Sequence, residues 1–372
     1  MKNKILFAVL MVLAFSLVGC GKSNTGNENV EGDNNGKSNG YEIALVTDVG
    51  SIDDKSFNQG SWEGIEQYAE ENDVTYKYYK PTEQSDEAIS TSINLAIKGG
   101  AKVVVCPGYF FEVPLFTLQE QYPDVTFILI DAQPNDGNQE NTTYHTAENV
   151  KAIFYAEEQA GFLAGYAAVK DGYKNLGFMG GIALPAVVRY GYGFVQGAEY
   201  AANELGLAND SISIKYTYVG NFDASPENMA LASSWYNEGV EVIFACGGSA
   251  GNSVMKAAET ANAKVIGVDV DQSSESNTVI TSAMKNISKS VYDSLVEYYK
   301  GSFKGGEVVT LNASTKSVQL PMETSQFTTF SQDDYDTIYS KIVDGTVEIK
   351  GNEDFDSASS IDTKAVVVSV VQ

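Results

Sequence analysis

The chain has 372 residues but only one histidine, three cysteines and eight prolines, and its 24 Lys and Arg are outnumbered two to one by 49 Asp and Glu. Each shortage excludes something. A single imidazole, His145, cannot build a multi-histidine metal site and disfavours an imidazole-driven triad, so it reads as structural. A net charge of −25 repels phosphate backbones, and no cluster of Lys and Arg forms a local basic stripe, so polymeric nucleic acid is excluded as a partner. Beyond the first twenty residues no apolar run approaches the ~18 residues of a membrane-spanning helix. Only Cys106 and Cys246 follow that segment, both at the ends of apolar runs in different halves of the chain. They are expected to be buried free thiols rather than a disulfide.

What is present is apolar enough to fold. A hydrophobic content of 43% and an aromatic content of 11% are too high for a disordered acidic chain, and the length suggests two or three domains. At the start, Lys2 and Lys4 precede an apolar run over 5–18 that ends in Leu17, Val18, Gly19 and Cys20. This is the order of a secretory signal, and it resembles the bacterial lipoprotein signal, cut before a cysteine whose thiol becomes lipidated. The expectation is a signal peptide over 1–19, with Cys20 as the lipidated mature N-terminus. Several acyl chains on one residue hold a protein stably on a bilayer, at about 0.8 kcal/mol per buried CH₂. Residues 21–40 contain six Asn, five Gly and one large apolar residue, Val30. They read, with Cys20, as a solvated linker that lets an acidic domain stand clear of an anionic membrane surface.

From Tyr41 onward, short β-branched runs alternate with stretches of helical length, which predicts parallel sheets covered by helices, an α/β fold. Strands are expected near 42–46, 74–79, 103–106 and 126–130, and again near 176–179, 212–218, 242–246 and 265–268. Helices are expected over 152–169, 185–205, 226–238, 251–261, 287–303 and 333–344. The two halves match at their strand ends: the run to Cys106-Pro107-Gly108 parallels the run to Cys246-Gly247-Gly248, and Ile130-Asp131 parallels Val268-Asp269. Two equivalent lobes facing each other make a cleft, because ligands of such sheets bind beyond the carboxyl ends of the strands. The chain is expected to cross between lobes near 149, 282–286 and 316–320. One lobe then holds 41–148 plus about 286–316, and the other 149–285 plus about 317–372.

The stretch from Val46 to Gln59 carries most of the candidate chemistry. Ser56 and Gln59 have the S-x-x-Q spacing of a capping box, placing Phe57 and Asn58 in the first turn of a helix at the sheet's carboxyl edge. From spacing alone Phe57 is as readily a packing residue as a ligand contact, and Asp53 and Asp54 favour the helix N-terminus rather than catalysis.

The segments VTDVGSIDDKSFNQGSWEGI, EEQAGFLAGYAA, FMGGIALPAVVRYGYGFVQGA, CGGSAGNS and VIGVDVDQ, in that order, resemble the basic membrane protein family of bacterial lipoproteins. These are substrate-binding components of ABC importers. The resemblance implies a type I periplasmic-binding-protein fold, two Rossmann-like lobes joined by hinge strands, and a purine nucleoside ligand such as adenosine, guanosine or inosine. It further implies that Phe57 and Phe222 sandwich the base, with Tyr218, Tyr192 and the aromatics of 109–111 as rivals. Asn58, Asp131 and Asp48 would meet the base edge, and Asp269, Lys285 and the backbone of Gly247 the ribose. Asp131 and Asp269 could otherwise merely cap their loops, and Lys285 could be only a hinge residue. No cofactor and no enzymatic step is expected. The partners implied are an ABC permease and, through the lipid, the extracytoplasmic face of the cell membrane, with the chain acting as a monomer. A sugar receptor and a nucleoside hydrolase using the abundant carboxylates are the competing readings.

Overall fold

A computed structural model describes residues 40–371; the signal segment and Cys20 lie outside the described residues. The first lobe is built from β1 (Ile43–Val46), α1 (Phe57–Asn72), β2 (Tyr76–Tyr79), α2 (Asp86–Lys98), β3 (Val103–Pro107), α3 (Glu112–Gln121), β4 (Thr126–Ile130) and β5 (Val150–Tyr155). The second continues with α4 (Glu157–Lys170), β6 (Asn175–Gly180), α5 (Pro185–Glu204), β7 (Ile212–Tyr218), α6 (Pro226–Asn237), β8 (Val242–Cys246), α7 (Ala250–Ala261), β9 (Lys264–Asp269) and β10 (Val279–Lys285). The chain then returns to the first lobe with α8 (Ile287–Tyr299), which packs on α1, and β11 (Glu307–Leu311), and ends on the second with β12 (Val318–Gln319), α9 (Gln332–Val343) and β13 (Val366–Val370).

Two sheets result, ordered β11-β5-β4-β3-β1-β2 and β12-β10-β9-β8-β6-β7-β13, parallel throughout except for the β10–β12 pair. Strands β1, β3, β4 and β8 are buried at every position, as strands covered on both faces must be, and their runs are accordingly continuous in apolar residues. None of the described helices is long and apolar enough to cross a membrane.

Two expectations need correction here. The helix expected over 152–169 begins only at Glu157, because Val150–Tyr155 is a strand of the first sheet, paired with β4 and β11. The first crossing therefore falls at Ala156 rather than near 149. The apolar run is continuous through strand and helix, so its period does not mark the change. The capping box at Ser56 is also absent, since that side chain makes no cap bond.

Helices α4 and α5 touch backbone to backbone. A Cβ placed on Gly161, Gly165, Gly193 or Gly197 would lie 2.0–2.1 Å from a carbonyl oxygen of the facing helix, so only glycine permits the approach. This contact explains the paired Gly-x-x-x-Gly spacings in the two helices, and it fixes the N-termini of α4 and α5 side by side at the cleft.

Candidate functional site

The loops after β1, β3, β4, β6, β7, β8 and β9, together with the end of β10, enclose a cavity with about 770 Å³ of atom-free space, counting its open mouth. Asp48, Phe57, Asn58, Asp131, Phe222, Gly247, Asp269 and Lys285 all line it, drawn from both lobes and a crossing strand.

The loop after β1 is organised by Asp54. Its carboxylate accepts the N–H groups of Ser56 (2.9 Å), Asn58 (2.9 Å) and Gln59 (3.1 Å), taking over the orphan donors of α1. The Ser56 hydroxyl, left free, donates instead to Asp269 Oδ2 of the other lobe at 2.5 Å. Asn58 is likewise committed: Nδ2 donates to Asp48 Oδ1 (2.8 Å) and Asp54 Oδ2 (2.9 Å), and Oδ1 accepts the Asp48 N–H (3.2 Å). Both its amide protons are therefore used, which leaves it no donor for a base edge. Asn58 instead orients Asp48, whose Oδ1 also takes the Gly50 N–H at 2.7 Å. Burial pushes the Asp48 carboxyl up to about 6, against the hydrogen bonds from Gly50 and Asn58.

Asp131 and Asp269 end equivalent strands in the two lobes, and both adopt left-handed backbone, with φ of 59° and 66°. Aspartate tolerates this region better than most residues. Between them sits the buried ammonium of Lys285, paired with Asp131 Oδ2 and 3.4 Å from both Asp269 Oδ1 and Glu157 Oε1. It also lies 4.6 Å from the centre of the Phe57 ring. Desolvation opposes charge on Lys285, and the carboxylates of Asp131, Asp269 and Glu157 outweigh it, so its pKa is raised. Burial pushes Asp131 up to about 7 even with Lys285 opposing. Its Oδ1 is buried without a hydrogen-bond partner among the described residues. Such an oxygen is costly unless something donates to it.

Phe222 lies over backbone: a Cβ on Gly181 would come within 2.3 Å of its ring. Its rivals are occupied elsewhere. The Tyr218 hydroxyl pairs with that of Tyr216 (2.8 Å), and Tyr192 packs edge-on against Phe355, with centroids 5.8 Å apart. Tyr109 and Phe110 do line the cavity and add to its aromatic wall. Cys246 lines it too; both it and Cys106 are buried and free. His145 pairs with Glu120 at 2.9 Å on the surface of the first lobe. Glu157, Arg189 and Tyr190 were missed by the sequence reading. Arg189 Nε is 2.6 Å from Glu157 Oε2, and the Tyr190 hydroxyl donates to Asp269 Oδ1 at 3.4 Å. The only available signal was their position in the motifs EEQAGFLAGYAA and ALPAVVRYGYG.

The family model described as "ABC transporter substrate-binding protein PnrA-like" matches residues 42–353. The chain is 27% identical over 331 residues to "ABC transporter nucleoside-binding protein BmpA" of Lactococcus lactis, covering 83% of this chain and 88% of that one. It is 30% identical over 298 residues to "Basic membrane protein B" of Borreliella burgdorferi, covering 75% and 80%. Among solved structures, a solute-binding protein of an ABC transporter system from Aeropyrum pernix superimposes with a TM-score of 0.74 at 21% identity, over 86% of this chain and 96% of that one. A second, from Conexibacter woesei, gives 0.64 at 20% identity, over 84% and 99%. The fold is the two-lobed type I periplasmic-binding-protein fold.

Proposed function

This chain belongs to the Bmp family of PnrA-like ABC transporter substrate-binding proteins, and on that premise we propose that it captures purine nucleosides outside the cytoplasm and hands them to an ABC permease. The observation that carries the reading is a cleft with an aromatic ring from each lobe, Phe57 and Phe222, and with strand-tip carboxylates on both sides. A flat heterocycle offers a large, poorly hydrated face to such rings, and its sugar hydroxyls and ring N–H groups offer the donors that the Asp131 oxygen lacks. The name of the Lactococcus relative points the same way.

The ligand is uncharged. Asp48, Asp54, Asp131 and Asp269 line the cleft, against the ammonium of Lys285, and behind its wall Arg189 is paired with Glu157, a field that repels phosphate. No bond is broken: the ligand favours closure because it contacts both lobes. The chain is held at the outer face of the cell membrane through lipid on Cys20. The direct test is isothermal titration of the full-length protein with guanosine, inosine, adenosine, cytidine and ribose. Heat with the purine nucleosides is expected. Silence with all three, or equal response to ribose, would defeat the reading.

A further inference from the structure

Glu157 lies directly behind the cavity wall, wholly inaccessible to solvent, as the first residue of α4 after the first crossing. Its two oxygens have different partners. Oε1 faces the Lys285 ammonium at 3.4 Å, and Oε2 takes Arg189 Nε at 2.6 Å. The close approach of α4 and α5 puts Arg189 within this reach, and Arg189 is anchored in turn by Glu158 (3.9 Å) and Asn352 (3.4 Å). Lys285 has three protons and meets three carboxylates, those of Asp131, Asp269 and Glu157. Two of these line the cavity; Glu157 does not.

We propose that Glu157 is a positioning residue for ligand capture, retaining the Lys285 ammonium from behind so that Asp131 and Asp269 can turn to the ligand's donors. The inference rests on the reading that a ligand enters this cleft, whatever its identity. Without the charge of Glu157, the only carboxylates left to Lys285 among its partners are the two that the ligand needs, and ligand and lysine compete for them.

The test is a double-mutant cycle on the full-length chain, with guanosine as the calorimetric probe. Glu157→Gln is expected to raise the dissociation constant about tenfold or more in the native background, and less than about twofold when Lys285→Met is already present. A Glu157→Gln protein that binds within about twofold of the unaltered chain, or effects that multiply, would overturn the proposal. If Glu157→Gln fails to fold, Glu157→Asp takes its place, keeping the charge but shortening its reach, with a smaller loss expected. A second measurement needs no ligand. A buried, ion-paired ammonium exchanges its protons slowly, so Lys285 should give a ¹⁵N ammonium resonance, identified by its loss in Lys285→Met. That resonance should shift or vanish in Glu157→Gln, and an unchanged resonance would refute the positioning role. If no nucleoside binds the unaltered chain, the nucleoside reading fails, while an ammonium resonance unchanged in Glu157→Gln would still overturn the hold of Glu157 on Lys285.

Discussion

Phe222→Ala is the cleanest perturbation of the proposed aromatic clamp. Phe57 packs partly against the hydrophobic core and lies 4.6 Å below the Lys285 ammonium, so truncating it disturbs the lobe and the ion cluster as well as any ligand. Phe222 rests instead on the glycine backbone of residues 181 and 248, and it is not among the residues packed on the core. Base–aromatic stacking contributes about 1–3 kcal/mol per base by alanine substitution, so loss of this ring should weaken guanosine binding by about 5- to 150-fold. The melting temperature of the ligand-free protein should stay within about 2 °C of the unaltered chain, since less than about 1 kcal/mol of folding energy is at stake. Titration calorimetry and a thermal melt on the same preparation separate the two quantities. A dissociation constant unchanged within about twofold would refute the clamp. So would a weakening matched by an equal fall in melting temperature, which would make Phe222 a structural residue.

Asp54→Ala removes the acceptor of three backbone N–H groups at the start of α1, so it should destabilise the fold by about 2 kcal/mol in a chemical-denaturation series and weaken ligand binding through the misplaced Phe57 and Asn58. Gly165→Ala forces a Cβ to within 2.1 Å of the Phe194 carbonyl oxygen; a loss of several kcal/mol or failure to fold is expected, and an unchanged melt would contradict the close helix contact. Burial raises Asp48 to about 6 and Glu112 and Glu158 to about 7, so between about pH 4 and 7 the folded state holds protons that the unfolded chain has released. Stability contributed by these groups therefore falls as pH rises through that window. Glu157, held low mainly by Arg189 against its own desolvation, acts oppositely and only in stronger acid. The ligand-free protein should accordingly melt several degrees higher near about pH 5.5 than near about pH 8, at about 2 °C per kcal/mol; a melt that rises steadily to about pH 8 would contradict these shifts.

The lobes and their cleft were legible because the core strands of each sheet are fully buried, and parallel pairing writes itself as uninterrupted apolar runs such as Val103-Val104-Val105 and Ile243-Phe244-Ala245. Less legible were β10, whose buried polar residues Thr281 and Ser282 pair with the Ser325 hydroxyl and the Gln272 backbone N–H respectively, and the half-exposed edge strand β11. Eight cavity-lining residues, from Asp48 to Lys285, could be named from resemblance, and the structure gathers these eight around one space. Their mutual bonding could not be read in this way. That Asn58 spends its amide on Asp48 and Asp54, and that Ser56 reaches across to Asp269 instead of capping its own helix, are choices made by tertiary geometry, for which spacing along the chain carries no code. Glu157 and Arg189 escaped notice for the same reason. On separate helices they look like ordinary surface charges, and only the glycine-mediated contact of α4 with α5 joins them.

In the proposed complex one flat ring is held between Phe57 and Phe222 while the strand-tip carboxylates take the donors of the attached sugar and base edge. A crystal structure of the protein saturated with guanosine would show this arrangement or its absence. The base should lie between the two rings, with Asp131 Oδ1 and Asp269 each within hydrogen-bond distance of a ligand donor. A nucleoside bound elsewhere, or lying in the cleft with either ring turned away from it, would contradict the account.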